Sequence, residues 1–184
     1  MQDRRKALVE TLQVFIDRYY WPMRGSQNPE QSRYHVEPFG SVVLGIDNDT
    51  SDMDLVVLDR YFPHGCSDAQ IKLSHLYNMR NLAAQLDKYT PLGQGADVDA
   101  IPARVPITKV KLSDGIALDI NVNEALGYRN THLLKAYFET EPYGHLLPAL
   151  AKFLKFHFKN RKLNDPSWVS SFSFSLPCMH TDVR

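Results

Sequence analysis

The sequence has few cysteines and no long apolar run. Cys66 and Cys178 are its two cysteines, and they form no CxxC pair, which argues against a disulfide framework and fits an intracellular, cytoplasmic or nuclear compartment. No stretch approaches the ~18 apolar residues of a membrane-spanning helix. The N-terminal segment has no apolar core like that of a signal peptide. A mitochondrial location stays open as an alternative, although Asp3 and Glu10 are unusual in a mitochondrial leader.

The sequence also lacks an excess of charge of either sign. It contains 21 basic and 21 acidic residues, so its formal net charge is zero. Overall charge therefore gives no sign of a nucleic-acid-coating protein, and any attraction for phosphate has to be local. The 43% hydrophobic and 23% charged content over 184 residues is typical of a soluble domain or a compact two-lobed unit.

The hydrophobic pattern predicts an α+β fold with a mixed sheet and flanking helices. We assign the sheet to residues 25–126, and assign residues 1–24 and 127–184 to an incomplete helical lobe. Gly40-Ser41 is expected to open a short helix that ends near Leu44. The predicted helices are 4–20, 68–86, 131–139 and 143–162, and the predicted strands are 34–39, 52–58, 98–101, 105–112 and 116–122.

Two acidic residues stand at the start of the most apolar strand. Asp52 and Asp54 are two residues apart, so both side chains point to one face of the sheet. Solvated acids are the commoner interpretation of such a pair, but Asp119 lies in a second strand-like run, ALDINV. If the two strands are neighbours, three carboxylates meet, and an all-oxygen set suits Mg²⁺.

Other metal sites are less well supported by the sequence. Asp97 and Asp99 are rival candidates for the third ligand, although their flanks are less strand-like than those of Asp119. A calcium loop that starts at Asp47 would need glycine at its sixth position and glutamate at its twelfth, where Asp52 and Leu58 stand. The histidines show no metal-ligand spacing.

Gly40-Ser41 and a row of lysines are candidate phosphate contacts. Glycine permits close backbone approach, and a serine at a helix start offers a hydroxyl and free N–H groups, although a simple helix cap is the commoner interpretation. Near the C-terminus, lysines recur every three or four residues and share one helix face. That stretch, residues 151–164, contains no acid, whereas a solvated helix face normally mixes signs. The lysines are Lys152, Lys155, Lys159 and Lys162.

These motifs resemble the DNA polymerase β-like nucleotidyltransferase superfamily, and within it the terminal uridylyltransferases and atypical poly(A) polymerases. The resemblance covers about residues 5–174 and rests on Gly40-Ser41, on SDMDL around Asp52 and Asp54, and on LDI around Asp119. It implies template-independent transfer of a nucleotide from ATP or UTP to an RNA 3′ end, with two Mg²⁺ (or Mn²⁺) ions. Supporting stretches are ARVPI, from Ala103, and the lysine-rich KFHFKNRKLN, from Lys155.

The resemblance also implies roles for individual residues. Asp52, Asp54 and Asp119 would be the metal-binding catalytic acids, the last helping to activate the RNA 3′-hydroxyl. Phe172 stands where relatives have tyrosine, so base stacking would survive without a phenol hydrogen bond. The implied nucleotide-binding residues are Gly40 and Ser41 (phosphates), Asn130 and Thr131 (ribose), Lys155 and Lys159 (triphosphate), and Ser171 and Phe172 (phosphate and base).

Two alternatives to an active RNA polymerase remain open from the sequence. One is a non-catalytic fragment or binding module of the same family, because relatives continue through much more of the helical lobe. The other is a transferase of the superfamily that acts on another acceptor, against which the Asn130–Asn164 stretch argues.

Overall fold

A mixed five-stranded sheet forms the centre of the described structure, and it confirms the predicted α+β class. The computed structural model describes residues 2–21, 32–48, 51–67, 74–92, 95–139 and 146–161. The strand order is β1-β2-β5-β4-β3, in which β2 and β5 are parallel and the other neighbours antiparallel. The strands are β1 (Tyr34–Phe39), β2 (Met53–Asp59), β3 (Asp97–Ile101), β4 (Ile107–Lys111) and β5 (Ala117–Val122).

Helices flank this sheet on both faces. Within the described residues, no helix is long and apolar enough to cross a bilayer. The predicted boundaries between residues 25–126 and a helical lobe stay a prediction. The α-helices are α1 (Gln2–Tyr20), α2 (Met79–Leu86), α3 (Ala125–Phe138) and α4 (Leu147–Asn160), and 3₁₀ turns cover His75–Tyr77 and Thr90–Leu92.

Three predicted helices differ from the observed ones. The helix predicted over 68–86 is described only from Ser74, and there it is a 3₁₀ turn followed by α2, because the side chains of Ser74 and Asn78 cap two separate starts. The short helix predicted after Gly40 is a series of turns, bounded by positive φ angles at Gly40 (71°) and Gly45 (68°). The helix predicted from residue 131 begins earlier, at Ala125.

The main core lies between the sheet and helix α1. Strand β2, which lies between β1 and β5, is largely buried on both faces, as its continuous apolar run requires. Helix α1 buries one apolar stripe at three- and four-residue spacing against the same cluster. Each fully buried side chain of this kind contributes about 1.5–3 kcal/mol. The stripe consists of Leu8, Leu12, Phe15 and Ile16.

A second, smaller core joins helices α3 and α4 to the turn after β1. Leu44 and Ile46 of that turn pack against Leu134 and Phe138 of α3 and against Leu147 and Ala151 of α4. Helix α3 approaches the sheet closely at Gly127, where a side chain would clash with the ring of Phe39. These contacts hold α4 opposite the end of β2.

A buried ion pair anchors the end of β2 that is distant from Asp52 and Asp54. The Asp59 carboxylate is fully buried and accepts two hydrogen bonds from Arg33, at 2.9 and 2.6 Å. It also accepts one from the Tyr77 hydroxyl at 2.8 Å and one from the Tyr61 backbone N–H at 3.0 Å. Such a carboxylate is stable in the interior only while its partners remain in place.

Arg33→Met should therefore destabilise the protein strongly. We expect a loss of about 3 kcal/mol in the free energy of unfolding, measured by urea titration, because the buried Asp59 carboxyl group loses its cation and two hydrogen bonds. Arg4→Met is the matched control, since the Arg4–Asp114 pair is exposed and should contribute at most about 1 kcal/mol. Equal losses in the two variants would contradict this interpretation of the buried pair.

Candidate active site

Three acidic side chains meet on the sheet face that α3 and α4 partly cover. Asp54 of β2 and Asp119 of β5 are direct partners in the parallel ladder. Asp52 precedes β2 and shares the face of Asp54, because side chains alternate along a strand. The strand pairing thus brings the three acids that the sequence singled out together near the N-terminal ends of β2 and β5.

A cleft of about 880 Å³ separates these three acids from helix α4. Acids lie on the sheet side of the cleft, whereas Lys152 and Lys155 face them from α4, together with the exposed rings of Phe153 and Phe156. The cleft therefore has walls of opposite charge. On the sheet side its lining includes Gly40, Ser41, Asp47, Asp52, Asp54 and Asp119.

Lys109 of β4 lies between two of the acids. It is the register partner of Asp119, and its Nζ donates a 2.7 Å hydrogen bond to Oδ2 of Asp52. The same Nζ is 3.1 Å from Oδ1 and 3.5 Å from Oδ2 of Asp119. The hydrogen bond to Asp52 raises the pKa of the Lys109 ammonium, so it is charged at neutral pH.

Asp54 is the most perturbed of the acids. Burial, followed by the charges of Asp119 and Asp52, raises the pKa of its carboxyl to about 6. Lys155 and Lys109 act in the opposite direction without cancelling these effects. Gly40 packs directly against this carboxylate, and a Cβ at that position would clash with Oδ2 of Asp54. Burial and the two neighbouring acids thus outweigh the positive charge of the two lysines at Asp54.

The residues present fit a divalent cation such as Mg²⁺. All three candidate ligands are carboxylates, which this hard cation prefers. Oδ1 of Asp119 is buried and, apart from its 3.1 Å ion pair with Lys109, accepts no hydrogen bond from any described residue. The described residues contain no ready-made group of three metal-ligating side chains. Asp52 and Asp119 instead both contact the ammonium of Lys109.

Only some of the other predicted contact residues line the cleft. Gly40, Ser41 and Lys155 line the cleft. Thr131 is buried, and its hydroxyl accepts a hydrogen bond from the Gly40 backbone N–H (2.9 Å) and donates one to the Gly127 carbonyl (2.8 Å). This hydroxyl therefore holds the Gly40 turn. Asn130 is not among the cleft-lining residues, and Ser171, Phe172 and the side chain of Lys159 lie outside the described part of the chain.

Sequence reasoning missed Lys109, Phe153 and Phe156 at this site. A signal for Lys109 was available, because Asp114-Gly115 predicts a tight hairpin turn. In the observed hairpin the loop is centred on Asp114, so Lys109 and Asp119, five residues before and five after it, are opposite partners. A two-residue turn at Asp114-Gly115 would have paired Lys109 with Ile120, so the sequence places Lys109 near Asp119 only to within one residue. The two phenylalanines carry no comparable signal, since aromatic residues on a helix usually face a core.

Gly40→Ala should be more damaging than Gly45→Ala. Both positions have positive φ, so alanine at either costs about 1 kcal/mol in backbone strain. Only at residue 40 does the new methyl group meet Asp54, whereas nothing lies within 4 Å at residue 45. We expect the additional clash to lower the free energy of unfolding by about 1–3 kcal/mol more, measured in urea. Equal losses would mean that Asp54 moves aside freely.

Asp54→Asn should stabilise the metal-free protein at neutral pH. With the Asp54 pKa raised to about 6, the unfolded chain ionises this group at a lower pH than the folded protein does. Stability therefore falls as the pH rises from about 4 to about 6, and the loss persists above that range. In EDTA the Asn variant should be more stable by roughly 3 kcal/mol at pH 7 and equal to the parent near pH 3.5. A pH-independent difference would contradict the raised pKa.

Comparisons with known proteins show the family to which the chain belongs. A family model for the central palm domain of mitochondrial-like poly(A) RNA polymerase matches residues 1–139. Poly(A) RNA polymerase gld-2 homolog B of Drosophila melanogaster is 29% identical over 174 residues, which are 88% of this chain and 12% of that protein. Poly(A) RNA polymerase CID14 of Cryptococcus neoformans is 32% identical over 147 residues, 78% of this chain and 17% of that protein.

A solved structure shares the fold. Terminal uridylyl transferase 4 from Trypanosoma brucei, with bound GTP, superposes with a TM-score of 0.75 at 22% sequence identity. The match covers 97% of this chain and 52% of that one, so the chain spans about half of this structural neighbour and a smaller share of the curated relatives. Because the family model matches most of the sequence, the chain belongs to the mitochondrial-like poly(A) RNA polymerase central palm domain family.

Proposed function

We propose that this chain carries the transfer site of an enzyme that adds nucleotides to RNA 3′ ends without a template. The observation that carries the proposal is the meeting of Asp52, Asp54 and Asp119 on one sheet face, opposite the lysines of α4 across an 880 Å³ cleft. In-line transfer of this type depends on positioning and electrostatic stabilisation, which such a cleft can supply. The family and the names of the relatives support the same reaction.

The two walls of the cleft would bind different parts of a nucleoside triphosphate. Lys155, and Lys152 beside it, would attract the phosphates, while Gly40 and Ser41 offer backbone and hydroxyl contacts from the sheet side. Asp52, Asp54 and Asp119 would hold Mg²⁺. When bound, this cation would neutralise charge on the phosphates and on the departing pyrophosphate.

Asp119 is suited to the acceptor end of the reaction. Its buried Oδ1 is ion-paired with the Lys109 ammonium at 3.1 Å and retains a further lone pair, which can accept a hydrogen bond from the RNA 3′-hydroxyl. The 3′-oxygen would then attack the α-phosphorus, a new phosphodiester would form, and pyrophosphate would leave. A carboxylate that holds this hydroxyl orients its oxygen and favours loss of its proton.

ATP is the nucleotide that the relatives by sequence favour, because the family model and both curated relatives are named poly(A) RNA polymerases. The structural neighbour is a uridylyl transferase, so UTP is the alternative. Incubation of the chain with a labelled oligo(A) primer and each NTP in turn separates the two.

Asp119→Asn should abolish primer extension. In Mg²⁺ with labelled oligo(A) and each NTP, we expect the rate to fall at least about a hundredfold, because a carboxylate charge is lost at the reacting centre. Asp97→Asn is the matched control, since Asp97 lies on the same sheet in the edge strand β3, pairs with Lys111, and is exposed. That control should retain the parental rate. Extension by Asp119→Asn at the parental rate, with both variants folded, would refute the proposed function.

A further inference from the structure

Lys109 occupies the space between two of the carboxylates that the proposed function assigns to Mg²⁺. Its ammonium donates to Oδ2 of Asp52 at 2.7 Å and lies 3.1 Å from Oδ1 of Asp119. The Lys109 side chain is 27% exposed, that of Asp119 is 20% exposed and that of Asp52 is 43% exposed, so the contact with Asp119 is the better shielded from water. This is a closer arrangement than the 3.8 Å pair of Lys111 with Asp97 on the same sheet.

The ammonium and a divalent cation would compete for the same oxygens. A lysine Nζ has three donors and no lone pair when it is charged, so it satisfies carboxylates but cannot be a metal ligand. A divalent cation bound by Asp52 and Asp119 would lie within a few ångströms of Nζ, where like charges repel strongly. Binding of the cation therefore requires that the ammonium withdraw.

The ammonium also has a function while no metal is bound. Asp54 and Asp119 are neighbours in the parallel ladder, and Asp52 follows the same face, so the three carboxylates repel one another. One positive charge between Asp52 and Asp119 offsets part of that repulsion and keeps both side chains directed to one point. The cost is that each divalent cation has to displace this contact.

We propose that Lys109 is a resident counter-cation, a positioning residue that holds Asp52 and Asp119 together in the metal-free site and is displaced when a divalent cation binds. The inference rests on the proposed function, since it takes the metal site from there. Lys109 thereby stabilises the metal-free protein and weakens its affinity for the cation. Removal of the charge should shift these two properties in opposite directions, which a merely structural lysine would not do.

Binding of Mn²⁺ to the full chain, without nucleotide or RNA, tests this. Free Mn²⁺ is followed by electron paramagnetic resonance in the parent and in Lys109→Met, Lys109→Arg and Lys111→Met. We expect Lys109→Met to bind Mn²⁺ about tenfold more tightly than the parent, because the repelling charge is gone. In EDTA the same variant should melt a few degrees lower than the parent. Lys111→Met removes an equal charge from the same strand without touching Asp52 or Asp119, and should stay within about twofold of the parent.

The other outcomes are equally informative. Lys109→Arg keeps the charge and should bind Mn²⁺ as the parent does, and tenfold tighter binding by this variant would overturn the proposal. Lys109→Gln replaces the Met variant if the latter does not fold, with the same expected result. Equal affinity in the parent and in Lys109→Met would overturn the inference alone, because primer extension tests the proposed function separately. Absence of Mn²⁺ binding in every variant would overturn both the inference and the metal site.

Discussion

Repulsion among the carboxylates of Asp52, Asp54 and Asp119 is the constraint on which the arrangement of the candidate active site depends. The parallel pairing of β2 with β5 fixes Asp54 beside Asp119, and the alternation of side chains adds Asp52 to the same face. Backbone hydrogen bonds hold these strands together regardless of the charges. The surrounding residues offset the repulsion only in part, because Lys109 contacts two of the acids while the Asp54 pKa stays raised.

The two apolar cores determine how the three acids face helix α4. The main core buries one face of the sheet against α1, so the acids lie on the opposite face, which α3 and α4 cover in part. The second core ties the turn after β1 to α3 and α4 through Leu44 and Ile46. Thr131 adds a hydrogen bond from the same turn to α3. The turn after β1 thus has two roles. At Gly40 it borders the Asp54 carboxylate, and through the second core it packs against α4, the helix that carries Lys152 and Lys155.

Much of the fold could be predicted because periodicity and turn chemistry are local properties. The apolar runs after Asp52 and around Asp119 indicated strands, and Asp114-Gly115 indicated the hairpin between β4 and β5. Side-chain contacts were harder to predict from the sequence, since they depend on which residues the fold brings close together. Nothing local distinguishes a Thr131 hydroxyl that would touch ribose from one that holds Gly40. Helix boundaries near Ser74 failed for a related reason, because a cap inside a helical pattern competes with continuation of the helix.

The zero net charge of the sequence conceals two strong and opposite local charges. The sheet wall of the cleft carries acids and the α4 wall carries Lys152 and Lys155, so each wall would repel the partner that the other attracts. A purely anionic ligand would be repelled by the three carboxylates, and a lone cation would be repelled by the lysines. A complex that carries phosphates at one end and a divalent cation at the other satisfies both walls at once. That requirement makes a metal-bound nucleoside triphosphate a better electrostatic match than either component alone.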